Sequence, residues 1–423
     1  LCYVLELKTC KLANSRKVPL SFSEENVEKI LKSIPGSKRA YEGVLIPIED
    51  GMIHLRNRSN LKEFEGILPE EMCFIEFCSK KEIVRLRNIK GPHEYLLRLR
   101  ANAIADSVRV IRVMASRRKA YEAKGRSWAL SYYYHSKDHY HKSYVKLLSR
   151  EKIKRLNSVP SGLVFIQEVN ALRIKTLVGD VVIVSESLEK FYYFMTIAFY
   201  GEWLGFDMVD RADALLISIR LINGYETLDF DIDPRANLPI EKERAIESLV
   251  KCQMQFTFGH EYAHCLCNHI PSAEISLGII KQDSFVNDFV LYNHNLEYEA
   301  DYYALRNIEN RKADIRGITR GAFSVLLYLY FIEQYRGLFS VNNFSVSISH
   351  PSAKNRIHQL YCNLGKQSYI GEAEINEMIN VADEMAQILQ YRLEGQIDNL
   401  LTFYGSMYLH SYIRKQRTDR IDF

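Results

Sequence analysis

The sequence predicts an α+β protein, mostly helical with a small sheet, preceded by a mixed α/β N-terminal region and a basic helical segment. Three observations carry this reading. Short β-rich runs at 163–167 and 177–184 stand close together just after the basic segment. A long helical pattern extends from Ile240 to about Ile270. Turn signals between short apolar runs divide the N-terminal stretch into strands and a helix.

Composition sets the frame. A chain of 423 residues holds two or three domains at roughly 100–200 residues each. Hydrophobic residues make up 47% and charged residues 26%, the balance of a globular protein with a real core. With 10 Pro and 20 Gly there is little material for long linkers, and 27 Tyr and 20 Phe imply an aromatic interior. The eight cysteines form no disulfide framework and read as reduced, buried thiols. Apolar runs such as 191–199 and 322–332 fall short of the ~18 residues a membrane span needs. No basic-then-apolar signal pattern opens the chain. A cytoplasmic protein without a membrane span is therefore expected.

The regions are expected at 1–92, 93–160 and 161–423. In the first, residues 2–7 alternate toward a strand. Ser23 then opens an amphipathic helix with Glu24 and Glu25 in its first turn, closed by Pro35-Gly36. Runs at 44–48 and 52–55 flank Asp50-Gly51, a hairpin signal, and Pro47 suggests a sheet edge. Between Arg98 and Arg155 stand 16 Lys or Arg against four acids, a local charge of +12 in a chain of net +4. Tyr132, Tyr133, Tyr134, Tyr140 and Tyr144 are interleaved there, a pattern that suits contact with nucleic acid or a protein partner. A solvated helical face is the simpler reading. After a candidate boundary at Ser158–Gly162 come the two β-rich runs, an aromatic helix at 188–204, and further expected strands at 215–222 and 227–232. Pro239 suits the first turn of the long helix.

Inside that helix lies His260-Glu261-Tyr262-Ala263-His264. Residues four apart share a helical face, so two imidazoles can converge on one ion. Glu261 can then take a proton from the ion's water. A catalytic zinc needs a third protein ligand. In a helical pattern further on, Glu297 and Asp301 share a face, whereas Glu299 points about 200° away. Glu297 thus offers the ligand, and Asp301 a carboxylate to accept the free N–H of a ligating histidine. His269 fits less well, lying on another part of the helix. Cys265 and Cys267 read as structural thiols. His350 and Arg356, around a helix start, offer donors for an oxyanion or a peptide carbonyl.

The His260-Glu261-x-x-His264 motif, Glu297-x-x-Ala300-Asp301, and His350-Pro351 with Arg356 together resemble the gluzincin family of HtpX-like and CAAX-prenyl-type endopeptidases. The resemblance covers about 100 residues, from Gly259 to Ile357. It implies a zincin-like fold with Zn2+ on His260, His264 and Glu297. Glu261 would be the base, Asp301 a supporting residue, and His350 and Arg356 substrate or transition-state contacts. The bulky stretch Gln253–Gly259 departs from that family. It resembles the phage-exclusion peptidases of the Lit type, which also carry the H-E-x-x-H motif.

The expected function is a zinc endopeptidase acting on a cytosolic protein or peptide, with phage defence as one setting. The alternative is a nucleic-acid- or partner-binding protein on a metallopeptidase-like scaffold. An edge strand is expected beside the motif helix, with 227–232 the candidate. Asp229, Asp231 and Asp233 would then line the cleft and favour basic substrates.

Overall fold

The computed structural model describes residues 24–40, 43–48, 51–56, 66–269, 288–309, 312–339, 351–395, 397, 401 and 404–412. The strand expected at 2–7 and His350 lie outside them. The fold is α+β, mostly helical with small sheets. Two compact units meet in the sequence between Arg87 and Asn88.

In the first unit, helix α1 (Glu24–Ser33) precedes an antiparallel sheet of β1 (Lys38–Ala40), β2 (Gly43–Ile48) and β3 (Gly51–Arg56). The expected hairpin is present, with Ile48 opposite Gly51. Its first strand is central and not an edge, however. Pro47 is tolerated because β1 ends at Lys38, opposite Leu45, so Pro47 pairs only with Met52. A 3₁₀ turn (Pro69–Glu76) leads to α2 (Lys80–Leu86), where Glu82 accepts from the Ser79 backbone N–H at 2.9 Å.

The second unit opens with the basic segment: α3 (Pro92–Ala105), α4 (Val108–Glu122), α5 (Leu130–Lys137), α6 (His139–Val145) and α7 (Arg150–Leu156). Its aromatics face inward. Tyr133, Tyr134, Tyr140 and Tyr144 are buried, and Tyr132 alone of the five is exposed, at 63%. Tyr134 and Tyr140 donate to Glu186 and Glu189. Buried Arg100 pairs with Asp138 at 2.8 Å, and Arg117 with Glu186 at 2.7 Å. The pattern read as a stacking surface for bases is therefore largely core, because composition does not say which way a tyrosine points.

Next come β4 (Ser161–Val164), β5 (Ala171–Thr176) and β6 (Gly179–Ser185), in the order β4-β6-β5. The Val181–Val184 run is buried as the central strand, parallel to β4 and antiparallel to β5. Leu96 of α3 packs on Val164, Val181 and Ile183. Ser185 caps α8 (Glu186–Tyr200), accepting from the Leu188 N–H at 3.1 Å.

The run at 215–222, expected as a strand, belongs to helix α9 (Met208–Ile222). Asp207 caps it, and every residue from Asp210 to Ile222 is buried, so no polar face shows a helical period. Residues 227–232 are likewise not a strand. They form turns over a buried ionic network in which Glu226 bridges Arg220 and Arg235, each at 2.9 Å. Asp229 and Asp233 pair with Arg235, and the more exposed Asp231 with Arg117, so these carboxylates serve as counter-charges to the chain's own arginines.

Helix α10 (Ile240–Leu266) runs through the middle of this unit, buried on all sides from Gln253 to His264. Against it pack α11 (Asp288–Arg306) and α12 (Lys312–Phe339); α13 (Ala353–Leu364) packs on both of these, and α14 (Glu372–Leu393) on α12. Among the described residues, Lys312–Gly337 is the one helix long and apolar enough to cross a membrane. Its most apolar window is 72% buried, and packing against α10, α13 and α14 accounts for that composition. Gly321 makes the α10–α12 approach possible: a Cβ there would lie 2.7–2.9 Å from backbone atoms of Cys252 and Gln253. Backbone cannot step aside as a side-chain tip can. Gly321→Ala is expected to cost about 1–3 kcal/mol, read as a lower urea midpoint at unchanged slope.

Candidate metal centre

Helix α10 presents His260 and His264 one turn apart, and α11 presents Glu297 and Asp301 one turn apart. Small residues let the helices close. Ala300 and Ala304 are fully buried, and Tyr144 crosses between the helices. Its ring lies where a Cβ on Gly259 would be only 2.6 Å away, and its hydroxyl donates to the Ala304 carbonyl at 2.6 Å.

The three expected ligands converge. His260 Nε2 and His264 Nε2 are 3.1 Å apart, and the Glu297 carboxylate oxygens stand 3.5 and 3.6 Å from them. Ligands around a tetrahedral zinc at ~2.1 Å stand about 3.4 Å from one another. The three donors therefore fit one small ion and leave a fourth position open. The group is among those the structure shows able to hold a metal.

The groups behind the donors are equally ordered. His260 Nδ1–H donates to Asp301 Oδ1 at 2.9 Å. Arg356, on α13, donates to both oxygens of Asp301 at 2.7 and 2.8 Å and lies 3.3 Å from Glu297. Two buried carboxylates thus face one guanidinium, which leaves negative charge at the centre. Titration reflects this field. Burial opposes charge on His260, yet Asp301 and Glu297 outweigh it and raise its pKa to about 10. Burial, followed by the charge on His260, lowers His264 to about 3. Burial would raise Glu297, but His260 and Arg356 hold it well below the ordinary carboxylate range.

Glu261 is 1% exposed, and its Oε2 has no hydrogen-bond partner among the described residues. Burial pushes its pKa up to about 7, with His260 opposing and Glu297 adding. The Arg173 backbone N–H also acts on this carboxylate, and the oxygen left without a partner beside a ligand is placed to accept a proton.

The edge strand beside the motif helix is β5, which the sequence reading missed. Arg173 on β5 donates to the carbonyls of His264 and His269, both at 2.8 Å, tying the strand to the end of α10. Ser185 N–H donates to the Asn170 carbonyl at 2.9 Å, which sets the register. The backbone groups of Ala171, Arg173 and Lys175 therefore turn away from β6.

Of the residues expected from the sequence, His260, Glu261, His264, Glu297, Asp301 and Arg356 are brought together, and His350 lies outside the described residues. Arg356, read as a donor to substrate, is 7% exposed and engaged with Asp301 and Glu297. His269, set aside as lying elsewhere on the helix, touches His264, because α10 ends before it. The signal was Asn268, a residue type that adopts the left-handed conformation that closes helices; its φ is 55°.

No curated protein and no solved structure matches the chain. The family described as Peptidase U49 matches residues 213–373, a segment that contains the three ligand candidates, Glu261, Asp301 and Arg356. This similarity gives no support to the HtpX-like resemblance. It accords with the Lit-type one, and it supports a peptidase function.

Proposed function

We propose that the chain is a zinc-dependent endopeptidase that hydrolyses peptide bonds of a selected cytoplasmic protein, in the manner of the phage-exclusion peptidases it resembles. One observation carries the reading: two imidazole nitrogens and a carboxylate spaced 3.1–3.6 Å apart, with a buried glutamate alongside that keeps one oxygen without a partner among the described residues. Bound by His260, His264 and Glu297, zinc supplies Lewis acidity and lowers the pKa of a coordinated water toward ~7.

The chain's own groups do the rest. Glu261 accepts the proton of the attacking water and passes it to the leaving amine. Asp301 fixes the His260 tautomer, and Arg356 orients Asp301 and Glu297. An extended peptide can add to the outer edge of β5, which among the described residues pairs only with β6. Cells expressing the wild-type chain or Glu261→Gln test this directly. Protein N-termini that are new with the wild type and absent with the variant are expected. Identical termini in both would refute the peptidase reading.

A further inference from the structure

We infer that His269 and Glu299 are positioning residues for the metal centre, joined in a hydrogen-bonded chain that fixes the tautomer and ring orientation of His264. The inference rests on the metallopeptidase reading above and extends it to residues the motif does not contain.

The backbone makes the chain possible. On a continuous helix, five residues would place His269 about 140° round from His264. Instead Asn268 turns left-handed, and the His269 N–H donates back to the His264 carbonyl at 3.0 Å. Arg173 clamps the turn by donating to both carbonyls. The His269 ring is thereby returned against His264, with the two Nδ1 atoms 2.9 Å apart and the rings inclined at 71°.

Two imidazole nitrogens at hydrogen-bond distance share one hydrogen, and the geometry says which way it points. His264 Nε2 faces His260 and Glu297, so in the ion-binding form the hydrogen of His264 is on Nδ1. It donates to His269 Nδ1. The hydrogen of His269 is then on Nε2, which lies 3.2 Å from Glu299 Oε2. His269 is 6% exposed, while the Glu299 side chain is 44% exposed and anchors the outer end. The two ligand histidines are thus supported differently: His260 directly by Asp301, and His264 through a second imidazole.

A rival use of the same atoms exists. Donor atoms of Cys267, His269 and Glu299 all lie within 4.8 Å of one another, a spacing a second cation could use. Such an ion would take the His269 Nε2 lone pair, and the hydrogen order of the chain would have to reverse. It would also bind beside the positive charges of Arg155 and Lys152, which act on Cys267. Both points favour the hydrogen-bonded chain.

Zinc affinity, read by competition with a chelator, separates the two. In His269→Leu the affinity is expected to fall about 10–100-fold. His269→Gln, whose amide can accept from His264 and donate to Glu299, should recover most of it. Glu299→Ala, on the half-exposed end where folding is not at stake, should fall between wild type and His269→Leu. Cys267→Ser should match wild type, with one zinc per chain throughout. Unchanged affinity in His269→Leu and Glu299→Ala overturns the inference while leaving the peptidase reading intact. So does a second zinc that is lost in Cys267→Ser. A wild-type chain that binds no zinc overturns both.

Discussion

Glu261→Gln is expected to slow peptide hydrolysis by about 10²–10⁴-fold, the usual contribution of a positioned general base, while metal content stays at the wild-type value. The two halves of this result have separate causes. Glutamine has the shape of glutamate, so the fully enclosed position on α10 is filled as before. The side chain donates nothing to the three-ligand set, so the ion's holders are untouched. What is lost is a proton acceptor. Glu261 has an oxygen with no partner among the described residues, and burial keeps its affinity for a proton near neutrality, at about 7. Turnover of a cleaved peptide, measured beside zinc per chain, checks both halves. Loss of zinc together with activity would instead make Glu261 part of the binding shell.

Arg356→Met is expected to destabilise the fold by about 3–5 kcal/mol, the usual cost of removing one partner of a buried ion pair. The guanidinium donates twice to Asp301, which is 1% exposed, and stands beside Glu297, which is 2% exposed. Methionine fills much of the same volume but leaves two carboxylates in the interior without their cation. Burial pushes the Asp301 carboxyl up, and Arg356 is the main influence that holds it down. Thermal unfolding with and without saturating zinc tests the electrostatic cause. The deficit should shrink when the ion supplies positive charge on the other side of Glu297, and Arg356→Lys should lie between wild type and Met because it keeps the charge and loses the two-pronged geometry. A deficit that zinc does not alter would point to lost packing alone.

Much of the centre was legible because it is written in helical periods. His260 with His264 and Glu297 with Asp301 are each four apart, and that spacing survives whatever surrounds the helix. The misreadings have a common origin in burial. Helix α9 looked like a strand because its apolar residues face protein on every side and leave no period. Tyrosines among lysines and arginines suggested a surface, while four of the five pack inward and two of them donate to acids on α8. Strand β5, Ala171–Thr176, is only six residues long, and nothing in its own sequence shows that Arg173, besides pairing with Asp180 on β6, reaches the end of α10 and sets the strand beside the motif helix. His269 was set aside because the helix was assumed to continue. One left-handed residue, Asn268, reverses that conclusion, and local spacing cannot show it.

Zinc analysis combined with X-ray absorption at the zinc edge tests the central claim most directly. The expected result is close to one zinc per chain, with nitrogen and oxygen neighbours at ~2.0–2.1 Å and no sulfur shell at ~2.3 Å, and loss of that zinc in His260→Ala. A chain purified without metal, a sulfur-bound zinc, or zinc retained at full occupancy in His260→Ala would contradict it.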